Sequence, residues 1–224
     1  MARKTKEAAA VTRAQVLDAA ERVFCERGVT GTSLAEIAAA AGVTRGAVYW
    51  HFKDKADLYA AMCQRATLPL DTMLAAAGTA TRDDPLAALR ALAVGALTHL
   101  ATDTRAQAVF EVMFHKTELC GELGDIAGRR ERERCDFAST VEQLLREAVT
   151  AGQLPPGTDP ALASYLFRAF MGGLMREWVG DRGALDLAAL APSIVDIIIA
   201  GLIAHPPRRA ERVRPHVRPR AAAP

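Results

Sequence analysis

The sequence predicts an all-α protein, with a small N-terminal helix-turn-helix head and a larger helical body. Three observations carry that prediction. Residues 32–55, TSLAEIAAAAGVTRGAVYWHFKDK, have the spacing of a helix, a three-residue turn, a second helix and the start of a third. Beyond residue 84 the chain reads as long apolar-periodic stretches separated by Gly, Pro and Asp. Half the residues are hydrophobic (50%) yet only 5% are aromatic, alanine is abundant, and no stretch alternates as strands do. At 224 residues there is room for one small and one larger unit, with ample apolar content for a core.

Residues 1–11 read as a polar arm. Arg3, Lys4 and Lys6 either touch a polyanion or belong to a solvated tail, and the residues favour neither reading. Helix 1 follows over about Thr12–Arg27, with Val16, Leu17, Ala20, Val23 and Phe24 on one stripe and Gly28 as its stop. Ser33 with Glu36 three residues on forms a capping box that opens helix 2, whose Leu34, Ile37 and Ala38 share a face. Ala41-Gly42-Val43 breaks the pattern, and Gly42 supplies the left-handed backbone that turns the chain. Thr44 caps helix 3, which points Val43, Val48 and Phe52 inward and places Arg45 and Tyr49, four apart, together outside.

The outer face of helix 3 points to a function. A surface carrying Arg45, a bare Gly46, Tyr49, Trp50 and His51 packs poorly against another helix and suits a groove lined with phosphates and base edges. An arginine near a helix N-terminus can give two hydrogen bonds to guanine in the major groove. Gly46 removes a side chain where backbones approach, and Tyr49, His51 and Lys55 reach phosphates, contacts that set register. A helical hairpin with a merely solvated polar face has the same pattern.

Helix 4 begins at Asp54, which with Asp57 places negative charge at a helix N-terminus. Leu58, Tyr59, Met62 and Ala66 form its apolar face, and Pro69 is expected to kink it. The body helices are expected over roughly 84–102, 104–119, 123–152, 159–180 and 187–204. The expected domains are thus 1–55 for the head (motif about 33–52), 56–204 for the body, and a Pro/Arg-rich tail over 205–224 that cannot form a core. Charge divides the same way, at +3 for residues 1–55, −6 for 56–204 and +5 for 205–224. A basic front on an acidic body is what a nucleic-acid contact surface attached to something else shows.

Other classes find little support. The five His are scattered, no Gly-rich loop follows a strand, and no Ser/His/Asp or metal-ligand spacing recurs, so an enzyme, a metal and a cofactor are not expected. Cys25, Cys63, Cys120 and Cys135 lack a Cys-x-x-Cys pair and fit buried thiols in a reducing cytoplasm. The N-terminus has no apolar run behind its basic residues, and Ile194–Ala204 is half the length of a membrane span and carries Asp196, so no membrane partner is expected. In VFEVMFHKTEL (109–119), Phe110, Met113, Phe114 and His115 suit a cavity for an apolar ligand, with Glu111 or Glu118 as polar anchors. Ordinary core packing is the reading that pattern alone favours there. The pair 161–179 and 187–204 is apolar on more than one face, and Gly172-Gly173 permits close approach. Both features fit a two-fold homodimer that would place two heads on a palindromic site.

The run AGVTRGAVYWHFKDKADL (41–58) closely resembles the DNA-binding motif of the TetR family of bacterial regulators. Within that family the chain looks most like the AcrR/TtgR branch, repressors of multidrug efflux pump operons. The likeness is strongest over 1–58 and returns at FHKTELCGE (114–122), GQLPPGTDP (152–160) and GLMREW (173–178). The resemblance implies a TetR-like fold of about nine helices and a dimeric repressor of operator DNA, released by a small lipophilic inducer. A TetR-type regulator of a metabolic operon answering a metabolite or lipid is the rival. Carried onto matching positions, DNA contacts fall on Ser33, Thr44, Arg45, Gly46, Tyr49, His51 and Lys55, with Trp50 near the backbone. The ligand pocket falls on Phe114 and His115, with Leu92, Phe137, Val141, Phe167 and Met171 from equivalent stretches. Arg168 and Gly172 lie where related sequences vary, and the acidic body suggests cationic lipophilic ligands.

Overall fold

Short-range capping decides where the first helices start and stop. The Ser33 side chain accepts from Glu36 N while Glu36 Oε2 accepts from Ser33 N at 2.8 Å, completing the capping box. Gly42 closes that helix at φ 68°, a left-handed value that side-chain-bearing residues rarely adopt. Thr44 Oγ1 then accepts from Ala47 N and opens the next helix.

The computed structural model describes residues 2–80, 84–117 and 124–208, with side chains placed for 7–67, 72, 84–117 and 137–208. Among the described residues there are nine helices and no strand. They are α1 (Ala2–Arg27), α2 (Leu34–Ala41), α3 (Arg45–His51), α4 (Lys55–Ala80), α5 (Pro85–Thr102), α6 (Thr104–His115), α7 (Gly124–Thr150), α8 (Pro160–Gly180) and α9 (Leu187–Ala204).

Two boundaries differ from expectation. The expected N-terminal arm is the first part of α1, which starts at Ala2. Lys, Glu and Ala8–Ala10 are good helix formers, and no Gly or Pro stops propagation backwards from residue 12. The side chains of Arg3, Lys4 and Lys6 lie outside the described residues. Helix α6 ends at His115, not near 119, because Thr117 Oγ1 donates to Val112 O at 2.7 Å and Lys116 O accepts from Val29 N at 3.0 Å. Helix α4 runs through Pro69 to Ala80. The tail beyond Arg208, and Glu118, Cys120 and the Cys135 side chain, lie outside the described residues.

Two apolar clusters organise the chain. The first gathers Leu17, Phe24, Ile37, Val48, Phe52 and Tyr59 from α1–α4 and extends along α4 to Ala66. It also takes Val109 and Val112 from α6, both fully buried. The second joins α5 to α9, with Leu89, Leu97, Val141, Leu145, Phe167 and Val195 at its centre. Met113 of α6 packs against both. Polar groups tie the same joint. The Tyr59 hydroxyl hydrogen-bonds Thr117 Oγ1 at 3.1 Å, and Arg65 of α4 reaches Asp18 at 2.7 Å and also Glu21 on α1. Arg105 of α6 reaches Asp18 at 3.0 Å. Thus α6 belongs to both clusters, and a shift of the body must strain contacts inside the head.

Candidate nucleic-acid interface

The two helices of the motif differ in how much of themselves they bury. Helix α2 buries Leu34, Ile37 and Ala38. Helix α3 buries Val48 alone, and Phe52, just past its end, anchors it. A seven-residue helix held on one side leaves the other to solvent: Arg45, Gly46, Tyr49 and Trp50 are exposed, Trp50 at 74%. Leaving so much indole in water is costly. An aromatic there is more consistent with a surface that is covered when a partner arrives.

Arg45 and Tyr49 lie together. The Arg45 guanidinium sits 5.4 Å from the Tyr49 ring centroid and donates to its hydroxyl at 3.2 Å. The pair orients the guanidinium along the open face in the absence of DNA. Gly46 has open space around it, since an added Cβ would meet only Thr44 Oγ1 at 3.9 Å. Nothing among the described residues therefore requires glycine there. Ser33 and Thr44 are exposed at the starts of α2 and α3, where their hydroxyls cap the helix.

His51 and Lys55 are half-buried. Burial, and then the Arg13 cation, push the His51 imidazole below its ordinary pKa. Its ring meets Trp50 edge-on at 4.8 Å. Lys55 Nζ donates to Thr30 O at 3.4 Å and to Thr32 O at 3.1 Å, so two of its protons serve the turn before α2. Arg13 joins this group only in the folded chain. It lies on α1, 5.2 Å over the Phe52 ring, which brings a cation to this edge of the head. Spacing within α1 carries no signal of that, because the proximity arises only when α1 crosses α3.

The expected ligand-contacting residues spread over two environments. Val141, Phe167 and Met171 are buried in the body cluster, and half-buried Phe114 packs against it with its ring 5.6 Å from that of Phe110. Leu92 is buried on α5 and Phe137 is exposed on α7. His115 is exposed, 3.3 Å from Arg176 O, and lines an open depression of about 530 Å³ with Glu111, Lys116, Gly180 and Arg182. In that depression Arg182 donates to Glu111 at 2.7 Å and buried Val179 forms part of the wall, and of the expected ligand-contacting residues it takes in His115 among the described residues. Gly172 and Gly173 have nothing within 4 Å of an added Cβ, so the close approach they permit is not made among the described residues.

Residues 16–62 match the family described as bacterial regulatory proteins, tetR family. Residues 84–203 match the family described as MAATS-type transcriptional repressor, C-terminal region. The HTH-type transcriptional regulator AcrR of Shigella flexneri is 36% identical over 200 residues, covering 89% of this chain and 93% of that one. Among solved structures, NalD is described as the secondary repressor of the MexAB-OprM multidrug efflux pump in Pseudomonas aeruginosa. It superposes with a TM-score of 0.79 at 33% identity, covering 87% of this chain and 97% of that one. SmeT, described as the repressor of the Stenotrophomonas maltophilia multidrug efflux pump SmeDEF, matches in its triclosan complex with a TM-score of 0.76 at 34% identity, covering 85% and 91%.

Proposed function

The chain belongs to the TetR family of bacterial transcriptional regulators, and on that footing we propose that it is a dimeric, ligand-released repressor of a multidrug efflux pump operon. The observation that carries this reading is the open face of α3, with oriented Arg45, unshielded Gly46 and exposed Tyr49 and Trp50 on a helix anchored only from behind. Arg45 reads guanine in the major groove, Gly46 lets the backbone approach, and Tyr49, Trp50, His51, Lys55, Ser33 and Thr44 hold phosphates. Residues 1–55 act as the reading head, 56–204 as the ligand-binding and dimerising body, and the protein works in the cytoplasm on duplex DNA.

Dimerisation is supported by the outer surfaces of α8 and α9. Tyr165 (62% exposed), Leu166, Phe170, Ile197 (69%) and Ile203 leave a large apolar area uncovered on one chain, beside the unused Gly172 and Gly173. A two-fold partner covering it would place two copies of α3 on the halves of a palindrome. Efflux control is supported by AcrR, NalD and SmeT at 33–36% identity along nearly their whole length. A lipophilic inducer is supported by the triclosan complex of SmeT. For release, the inducer must prefer a conformation whose heads are misplaced, because equal affinity for both states shifts nothing.

Fluorescence anisotropy with the duplex upstream of its own gene, against a scrambled duplex at two salt concentrations, tests the reading. Salt-sensitive binding that favours the native duplex, reversed by triclosan, is expected. Equal binding to both duplexes refutes it.

A further inference from the structure

We propose that Arg168 on α8 anchors an acidic group of the inducer, so that the ligand class is an amphipathic organic anion, a carboxylate on an apolar body. This rests on the reading above of a ligand-responsive repressor. On α8 the buried residues are Ala163, Ser164, Phe167, Met171, Met175, Trp178 and Val179. Arg168 follows Ser164 by four and precedes Met171 and Met175 by three and seven, so helical geometry places it on the same buried arc. The residue is half-buried and its Nε is sealed from solvent without a hydrogen-bond partner.

The other half-buried arginines behave differently. Arg90 forks onto Asp196 at 2.6 and 2.9 Å, and Arg65, although its Nε is likewise sealed without a partner, holds Asp18 and Glu21 through Nη2. Arg168 makes no hydrogen bond or ion pair with any described residue. A guanidinium cannot discard its proton, so a partly desolvated one without a counter-charge is costly to the fold. An incoming carboxylate satisfies it through the planar fork. The flanking groups suit the remainder of such a ligand, since Phe167 and Met171 are apolar and methionine adapts its shape. The negative charge of residues 56–204 as a whole points by itself to cationic ligands. Distant surface carboxylates are screened by solvent, however, and the charge at the buried face governs selectivity.

Anisotropy of the full chain on its own upstream duplex, titrated with biphenyl-4-carboxylate and 4-biphenylmethanol, tests this, with isothermal titration of the same probes without DNA. The acid should act at concentrations about tenfold or more below the alcohol, the scale of one charge-assisted hydrogen bond. Arg168→Met and Arg168→Gln should erase that advantage and leave the alcohol's response unchanged, while Arg168→Lys keeps part of it. Equal potency of acid and alcohol on the wild type overturns the proposal, as does an advantage that survives in both variants. Variants that lose thermal stability yet respond to both probes as wild type also overturn it, and would assign Arg168 a purely structural role. Should the protein bind no duplex selectively while titration still shows the Arg168-dependent preference, the repressor reading fails and the anion site stands.

Discussion

Val112→Ala measures how far α6 is part of the head. Val112 is fully buried in the cluster built from α1–α4, although it belongs to α6 and reaches the head only through the tertiary fold. Truncation removes two methyl groups, about 1.6 kcal/mol of transfer free energy at roughly 0.8 kcal/mol each. Incomplete collapse of the resulting cavity brings the total to roughly 2 kcal/mol. For a chain of this size that lowers Tm by about 4–8 °C. Val141→Ala is the control, because Val141 is equally buried but belongs to the other cluster. Both variants should lose similar global stability. Hydrogen–deuterium exchange should separate them: Val112→Ala accelerates the amides of α1–α3 by about thirtyfold, the equivalent of roughly 2 kcal/mol, while Val141→Ala leaves them nearly unchanged. Wild-type exchange throughout α1–α3 in Val112→Ala would refute the idea that α6 supports the head, and with it the proposed route from body to DNA.

Arg45→Ala should reduce the preference for the native duplex over a scrambled one by about tenfold or more, with fold and oligomeric state unchanged, because the side chain is exposed and among the described residues bonds Tyr49 alone; selectivity equal to wild type in anisotropy would remove Arg45 from base reading. His115→Ala should change the triclosan concentration needed for release by several-fold with DNA affinity unchanged, since His115 lines the depression beside α8 and bonds Arg176 O of that helix; an unaltered release curve would remove it from the ligand site. Glu36 is held below the ordinary carboxylate range, first by the Ser33 backbone N–H and then by its hydroxyl. A depressed folded-state pKa makes the ionised form stabilising above the unfolded value of 4.5, and that stabilisation is lost as pH falls through the folded value. The Tm deficit of Glu36→Gln should therefore be present at pH 7 and shrink below about pH 4.5; a deficit independent of pH would contradict the role of the charge.

What the sequence by itself determined is whatever is encoded within one or two helical turns. Ser33 and Glu36 bond to each other, Gly42 meets a backbone requirement on the spot, and Thr44 caps the very next turn, so the motif was legible residue by residue. The starts of α5, α8 and α9 were equally legible, because Asp84, Asp159 and Asp186 accept from backbone N–H groups two or three residues away. The family too was written there, in the literal run 41–58. Tertiary structure decided everything that depends on partners distant in sequence. It seated Val109 and Val112 of α6 beneath the head and ended α6 early through Lys116 O and Val29 N. It turned Lys55 toward the carbonyls of Thr30 and Thr32, brought Arg13 to Phe52 and set exposed His115 in the depression beside Gly180 and Arg182. It also left Arg168 on the buried arc of α8 without a described partner. Periodicity names the face a residue occupies, and only the packing of whole helices determines what that face meets.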